Sequence, residues 1–145
     1  MENKLDITLD IVGAPANDDD KNYLNNLKEI SRTIEYSRVR FHGHKNNVKD
    51  YISNCDILIL PSRNESFGMV LLEAMSRGIP VIGSRVGGIP EVILEHKCGL
   101  LFESGDYEDL ADKIKYLYYN PLVRLEYGCE SKKIIESKFL ADDKA

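Results

Sequence analysis

Two carboxylates eight positions apart, Glu65 and Glu73, stand in the run Pro61-Ser62-Arg63-Asn64-Glu65-Ser66-Phe67-Gly68-Met69-Val70-Leu71-Leu72-Glu73-Ala74-Met75. Glu73 is the only charge between Phe67 and Ser76. A carboxylate among such apolar neighbours needs a partner, because burying it uncompensated costs several kcal/mol or drives it neutral. Arg77, four residues on, can be that partner in an ordinary helical i, i+4 pair worth about 0.2–0.5 kcal/mol. The other reading is that the two carboxylate oxygens accept hydrogen bonds from two vicinal hydroxyls, as on a ribose. Glu65 has the same two sides. It can be a negative charge near a helix N-terminus, or it can contact a sugar hydroxyl or the charge developing at a sugar carbon.

Between them, Ser66-Phe67-Gly68 precedes an apolar helical stretch, Gly68 to Arg77, stopped by Gly78. Gly68 allows a ligand close to the backbone, while the first helical N–H groups lack intrahelical acceptors. Such an end suits phosphate. At about 0.3–1 kcal/mol per exposed negative charge, and up to ~2 when partly buried, it can place a diphosphate but not hold it alone.

The elements that must position these groups alternate along the chain. Leu5 to Val12 reads as a strand ending at Gly13-Ala14-Pro15, and Lys21 to Tyr36 as an amphipathic helix carrying Tyr23, Leu24, Leu27, Ile30 and Ile34 on one face. Asp18-Asp19-Asp20 suits the positive end of that helix; the alternative, a metal site, lacks a second ligand cluster. Further strands are expected at Val39–His42, Asp56–Leu60, Pro80–Ser84 and Gly99–Phe102, and further helices at Asn47–Asn54, Pro90–Glu95, Asp106–Asn120 and from Pro121 to about 140. Strands apolar on both faces and interleaved with helices predict an α/β, Rossmann-like parallel sheet with helices on both faces. Ligands of such sheets sit at the carboxyl ends of the strands. That directs attention to residues 13–15, 43–45, 61–68 and 85–90.

The 145 residues are one domain or one piece of a larger one. A composition of 43% hydrophobic and 30% charged residues is globular. A net charge of −5 lacks the basic excess of nucleic-acid binders, and no apolar run approaches the ~20 residues that span a bilayer. Acid at Glu2 and Asp6, where a secretory signal needs a basic start and an apolar stretch, predicts a cytoplasmic chain. Cys55, Cys98 and Cys129 are odd in number and widely spaced, so they read as reduced packing residues.

Glu65, seven intervening residues and Glu73, followed by Gly78-Ile79-Pro80-Val81-Ile82 and Gly87-Gly88-Ile89-Pro90-Glu91, resemble family-4 retaining glycosyltransferases of the GT-B type. The pattern runs from about residue 5 to 120. It includes Ile11-Val12-Gly13, Val39-Arg40-Phe41-His42-Gly43, Asp56-Ile57-Leu58-Ile59-Leu60-Pro61-Ser62 and Gly99-Leu100-Leu101-Phe102. The resemblance implies the C-terminal, donor-binding half of such an enzyme, with a nucleotide-diphosphate sugar as substrate and no metal or other cofactor. Glu73 would bind the ribose hydroxyls, Glu65 would face the donor sugar, and the amides around Phe67, Gly68 and Met69 would contact sugar and diphosphate. Gly43, His44 and Lys45 would lie near the base. Neither Glu need act as a covalent nucleophile, so binding and electrostatic roles are expected.

Three features depart from the pattern or leave it open. Gly13-Ala14-Pro15 replaces the commoner Gly-x-Gly-Pro loop. Gly87-Gly88-Ile89-Pro90-Glu91 reads first as turn glycines with Pro opening a helix, and second as a donor contact. His42 and His44 read as strand-end packing or solvated residues rather than catalytic ones. The resemblance also implies an acceptor-binding N-terminal domain, and a first strand and helix carrying an Arg and a Lys that clamp the diphosphate. No position here matches that pair. The resemblance places that first strand between those at Leu5–Val12 and Asp56–Leu60; without it two edges are open to self-association, and little transferase activity is expected of the chain alone. The rivals are a non-catalytic remnant or interaction module with the same fold and, behind it, a GT-B-type sugar-nucleotide epimerase.

Overall fold

Apolar runs bounded by turn residues become strands in a computed structural model that describes residues 5–34, 38–94 and 97–139. The element order is β1 (Leu9–Val12), α1 (Asp18–Thr33), β2 (Val39–Gly43), α2 (Val48–Ser53), β3 (Leu58–Leu60), α3 (Met69–Ser76), β4 (Val81–Ser84), α4 (Ile89–Val92), β5 (Gly99–Phe102), α5 (Tyr107–Tyr119) and α6 (Pro121–Phe139). The alternation expected from the sequence is present, and the boundaries shift for local reasons. β1 begins at Leu9 rather than Leu5 because its partner β2 begins opposite, at Val39. α1 begins at Asp18 because Asn17 caps it, its side chain accepting the Asp20 N–H at 2.9 Å. The Asp20 carboxylate in turn accepts the Ala16 N–H at 3.1 Å. α4 opens at Ile89, one residue before Pro90, and ends at Val92. α1 ends at Thr33, with Ile34 extended, short of the end expected at Tyr36; residues 36, 95 and 140 themselves lie outside the described residues.

The chain forms two compact units, Met1–Val48 and Lys49–Ala145. The strands form two parallel sheets, β1-β2 and β3-β4-β5, where a single sheet was expected.

In the first unit α1 has no fully buried residue. Its apolar face keeps Tyr23 and Ile30 more than half exposed, and Ile34, extended just after the helix, is more than half exposed too.

In the second unit, period-2 alternation along β4 sends successive residues to opposite faces. Ile82 joins Leu100, Phe102, Leu117 and Tyr127 in a buried cluster with α5 and α6. The Gly83 face meets Ile89, Ile93 and Leu71 instead, and a Cβ there would lie 2.6 Å from Ile89 Cγ2. Leu71, Ala74 and Met75 bury one face of α3, which packs against α6. At that contact, a Cβ on Gly128 would collide with the Gly78 carbonyl. This packed frame carries the loop from β3 to α3 at the carboxyl ends of its strands.

Candidate functional site

The loop of residues 61–68 leaves β3 after Leu60 and enters α3 at Met69. Gly68 is the N-cap, with φ 78° and ψ 54° in the left-handed region, where a side chain is costly. No side chain caps α3 from that position. The Glu65 carboxylate turns back instead, its Oε1 accepting the Gly68 N–H at 3.3 Å. A negative group therefore already sits at the start of α3, where N–H groups point outward and the helix field favours it. Phe67 and Met69 flank the turn with 42% and 62% of their surface exposed.

Glu73 lies one turn further along α3 and is half-buried. Arg77, the simplest partner available in the sequence, goes elsewhere. Its guanidinium donates to the Glu73 backbone carbonyl at 2.9 Å and to Ser53 Oγ at 3.1 Å. Among the described residues no hydrogen bond or ion pair reaches the Glu73 carboxylate. An acid among apolar neighbours with both oxygens unused by the protein is suited to a ligand that brings its own donors.

The β4–α4 segment supports this loop. Ser84, fully buried at the end of β4, donates its hydroxyl proton to the Ser62 carbonyl at 2.5 Å. The Gly88 N–H points to the Glu65 carbonyl at 3.4 Å. Sequence reading passed over Ser84; its signal was a hydroxyl closing a strand otherwise made of apolar residues and glycine.

Gly43, His44 and Lys45 lie at the end of β2, in the first unit. His44 Nε2 is 3.2 Å from Asn46 Oδ1, and His42 Nε2 is 2.7 Å from Asp10 Oδ1, a contact between the two paired strands. At the end of β1, Gly13, Ala14 and Pro15 line one side of an open pocket of about 230 Å³. Among the described residues no three His, Cys, Asp or Glu side chains come together as a metal site. None of their helices is long and apolar enough to cross a membrane.

A family model described as Glycosyl transferases group 1 matches residues 1–134. The chain belongs to that family. This group 1 glycosyltransferase domain is 40% identical over 105 residues to N-acetyl-alpha-D-glucosaminyl L-malate synthase of Bacillus anthracis, covering 72% of this chain and 28% of that protein. It is 30% identical over 139 residues to trehalose synthase of Pyrococcus horikoshii, covering 92% of this chain and 33% of that protein. The chain thus spans about a third or less of the length of these relatives. Among solved structures, it matches Anabaena HepE in complex with UDP at a TM-score of 0.83 and 27% identity, covering 92% of this chain and 37% of that one. It also matches the C-terminal domain of a group 1 glycosyl transferase, LpcC of Francisella tularensis, at a TM-score of 0.78 and 24% identity, covering 85% and 65%. The fold is accordingly that of the C-terminal half of a GT-B glycosyltransferase.

Proposed function

We propose that this glycosyltransferase domain holds the nucleotide-diphosphate sugar from which a retaining, family-4-type enzyme transfers its sugar. The observation that carries the reading is the half-buried Glu73 carboxylate, which no hydrogen bond or ion pair from the described residues reaches. HepE, 27% identical, has been solved with UDP and with UDP-glucose, which supports a donor of that class. In this reading Glu73 accepts hydrogen bonds from the two ribose hydroxyls. The amides around Phe67, Gly68 and Met69 face the sugar and the diphosphate, and the start of α3 favours the charge that the leaving diphosphate gains. Glu65, held against the Gly68 N–H, stands by the donor sugar. It stabilises positive charge developing at the anomeric carbon rather than forming a bond to it. No metal ion takes part in this reading.

Ligand-observed saturation-transfer NMR of the chain with UDP, GDP, ADP and their glucose conjugates tests it. Binding of at least one nucleotide that disappears in Glu73→Ala is expected; no response to any of them overturns the proposal.

A further inference from the structure

The Gly87-Gly88 pair reads in sequence as a turn, yet its surroundings demand more than a turn. Gly88 has φ −82° and ψ −3°, a conformation open to any residue, so backbone freedom does not explain a glycine there. Space does. A Cβ on Gly88 would collide with the Ser66 carbonyl oxygen and lie 3.3 Å from Phe67 Cα. Gly87 adopts φ +52°, and a Cβ there would collide with the Glu65 carbonyl oxygen, with the carbonyl carbon at 2.9 Å. Three residues earlier, Ser84 bonds the Ser62 carbonyl of the same loop at 2.5 Å.

We propose that Ser84, Gly87 and Gly88 are positioning residues, a bare backbone shelf against which the 62–67 loop is set so that Glu65 and the Phe67–Gly68 amides face the donor. This inference rests on the donor-site reading above. Touching the loop through its main chain, the shelf fixes its height over α3 without occupying the site. A displacement of about 1 Å in such a constellation can cost on the order of 10²-fold in reaction rate.

The test compares Gly88→Ala with Gly105→Ala. Gly105 has φ +83° and no atom within 4 Å of an added Cβ, so its alanine variant carries backbone strain but no collision. Gly88→Ala carries the collision without the strain. Calorimetric titration with UDP-glucose is expected to show Kd raised roughly 10- to 100-fold in Gly88→Ala, the fold-change for losing one amide hydrogen bond to the charged diphosphate. Gly105→Ala should stay within twofold of the parent. In nucleotide-free protein, the Gly68 and Phe67 amide resonances should move in Gly88→Ala and stay in place in Gly105→Ala. A folded Gly88→Ala with parental Kd and unmoved amides overturns the proposal. Should Gly88→Ala fail to fold, Ser84→Ala, which deletes one hydroxyl, serves in its place with the same readouts. If the parent binds no nucleotide, the donor reading falls. The amide shifts then decide alone, moved resonances supporting the shelf and unmoved ones overturning it.

Discussion

Replacing Glu73 should separate stability from binding. In Glu73→Gln the charge goes while size and helix propensity stay nearly constant. Glu73 is the fifth of eight residues in α3, beyond the first turn, so the helix field contributes little. Its carboxylate has no partner to lose, and the i, i+4 attraction to Arg77 is at most about 0.2–0.5 kcal/mol. Removing an uncompensated, half-buried charge offsets that, so the unfolding free energy should stay within about 0.5 kcal/mol of the parent or rise. Binding should behave differently. Hydrogen bonds to a charged acceptor contribute about 1.5–3 kcal/mol each. Losing two in Glu73→Ala, with partial recovery by water, corresponds to about 3 kcal/mol, or roughly 10²-fold in Kd for UDP. Arg77→Ala should show the reverse pattern. It loses the bonds to the Glu73 carbonyl and to Ser53 Oγ and about 1 kcal/mol or more of stability, with the Kd for UDP unchanged. Urea denaturation and calorimetric titration of the three proteins give both quantities. A Glu73→Gln protein destabilised by more than about 1.5 kcal/mol, or a Glu73→Ala protein whose Kd stays within threefold of the parent, would refute the reasoning.

Three further outcomes follow from packing and titration. Gly128→Ala gains up to about 1 kcal/mol of helix propensity but drives a methyl into the Gly78 carbonyl, so a net loss of about 1–2 kcal/mol is expected in thermal or urea unfolding. The Asp109 carboxyl lies below its ordinary range because it accepts the Glu103 N–H at 2.8 Å and, secondarily, because Lys113 is 3.1 Å away. Its folded value is lower than its unfolded one, so its contribution is present above about pH 4 and is lost as pH falls through the folded value. The Tm difference between the parent and Asp109→Asn should be constant above about pH 5 and shrink below pH 4. Burial raises the Cys98 thiol, whereas Cys129 is exposed; a thiol reagent at pH 8 should label Cys129 in the native chain and Cys98 only after denaturant is added.

Much of the fold was legible because each element announces itself locally. Strand β5 is an unbroken apolar tetrad, and it spans Gly99–Phe102 as expected. Helix α5 is bounded by Asp106, whose side chain accepts the Asp109 N–H at 3.0 Å, and by Asn120. What sequence could not show was how elements meet. The separation of β1-β2 from β3-β4-β5 is a matter of which strand lies beside which, and strand spacing along the chain is silent on that. The Gly87-Gly88 pair has the same origin: the turn is a local feature, but the collision with the Glu65 and Ser66 carbonyls arises from a loop some twenty residues away. Arg77 was within reach of the Glu73 carboxylate by spacing alone, and only the fold reveals that Ser53, 24 positions distant, draws its guanidinium aside.

The acids of this chain illustrate why the site reading centres on one residue. Asp18 pairs with Lys21 at 3.2 Å, Asp20 serves the start of α1, Asp109 holds a backbone amide and a lysine, and Glu103 takes Arg85 at 2.9 Å. Even Glu65 has a local task at the Gly68 N–H. Each of these contacts would stabilise the chain with no ligand present, and so each is also explained without one. Glu73 breaks the pattern. It sits half-buried on the most apolar helix while its nearest cation binds main chain and a serine. A local rule broken with no compensating contact is the mark expected of a functional position. In the proposed function, an unpaired acid there is accounted for by a pair of hydroxyls that arrives with the donor.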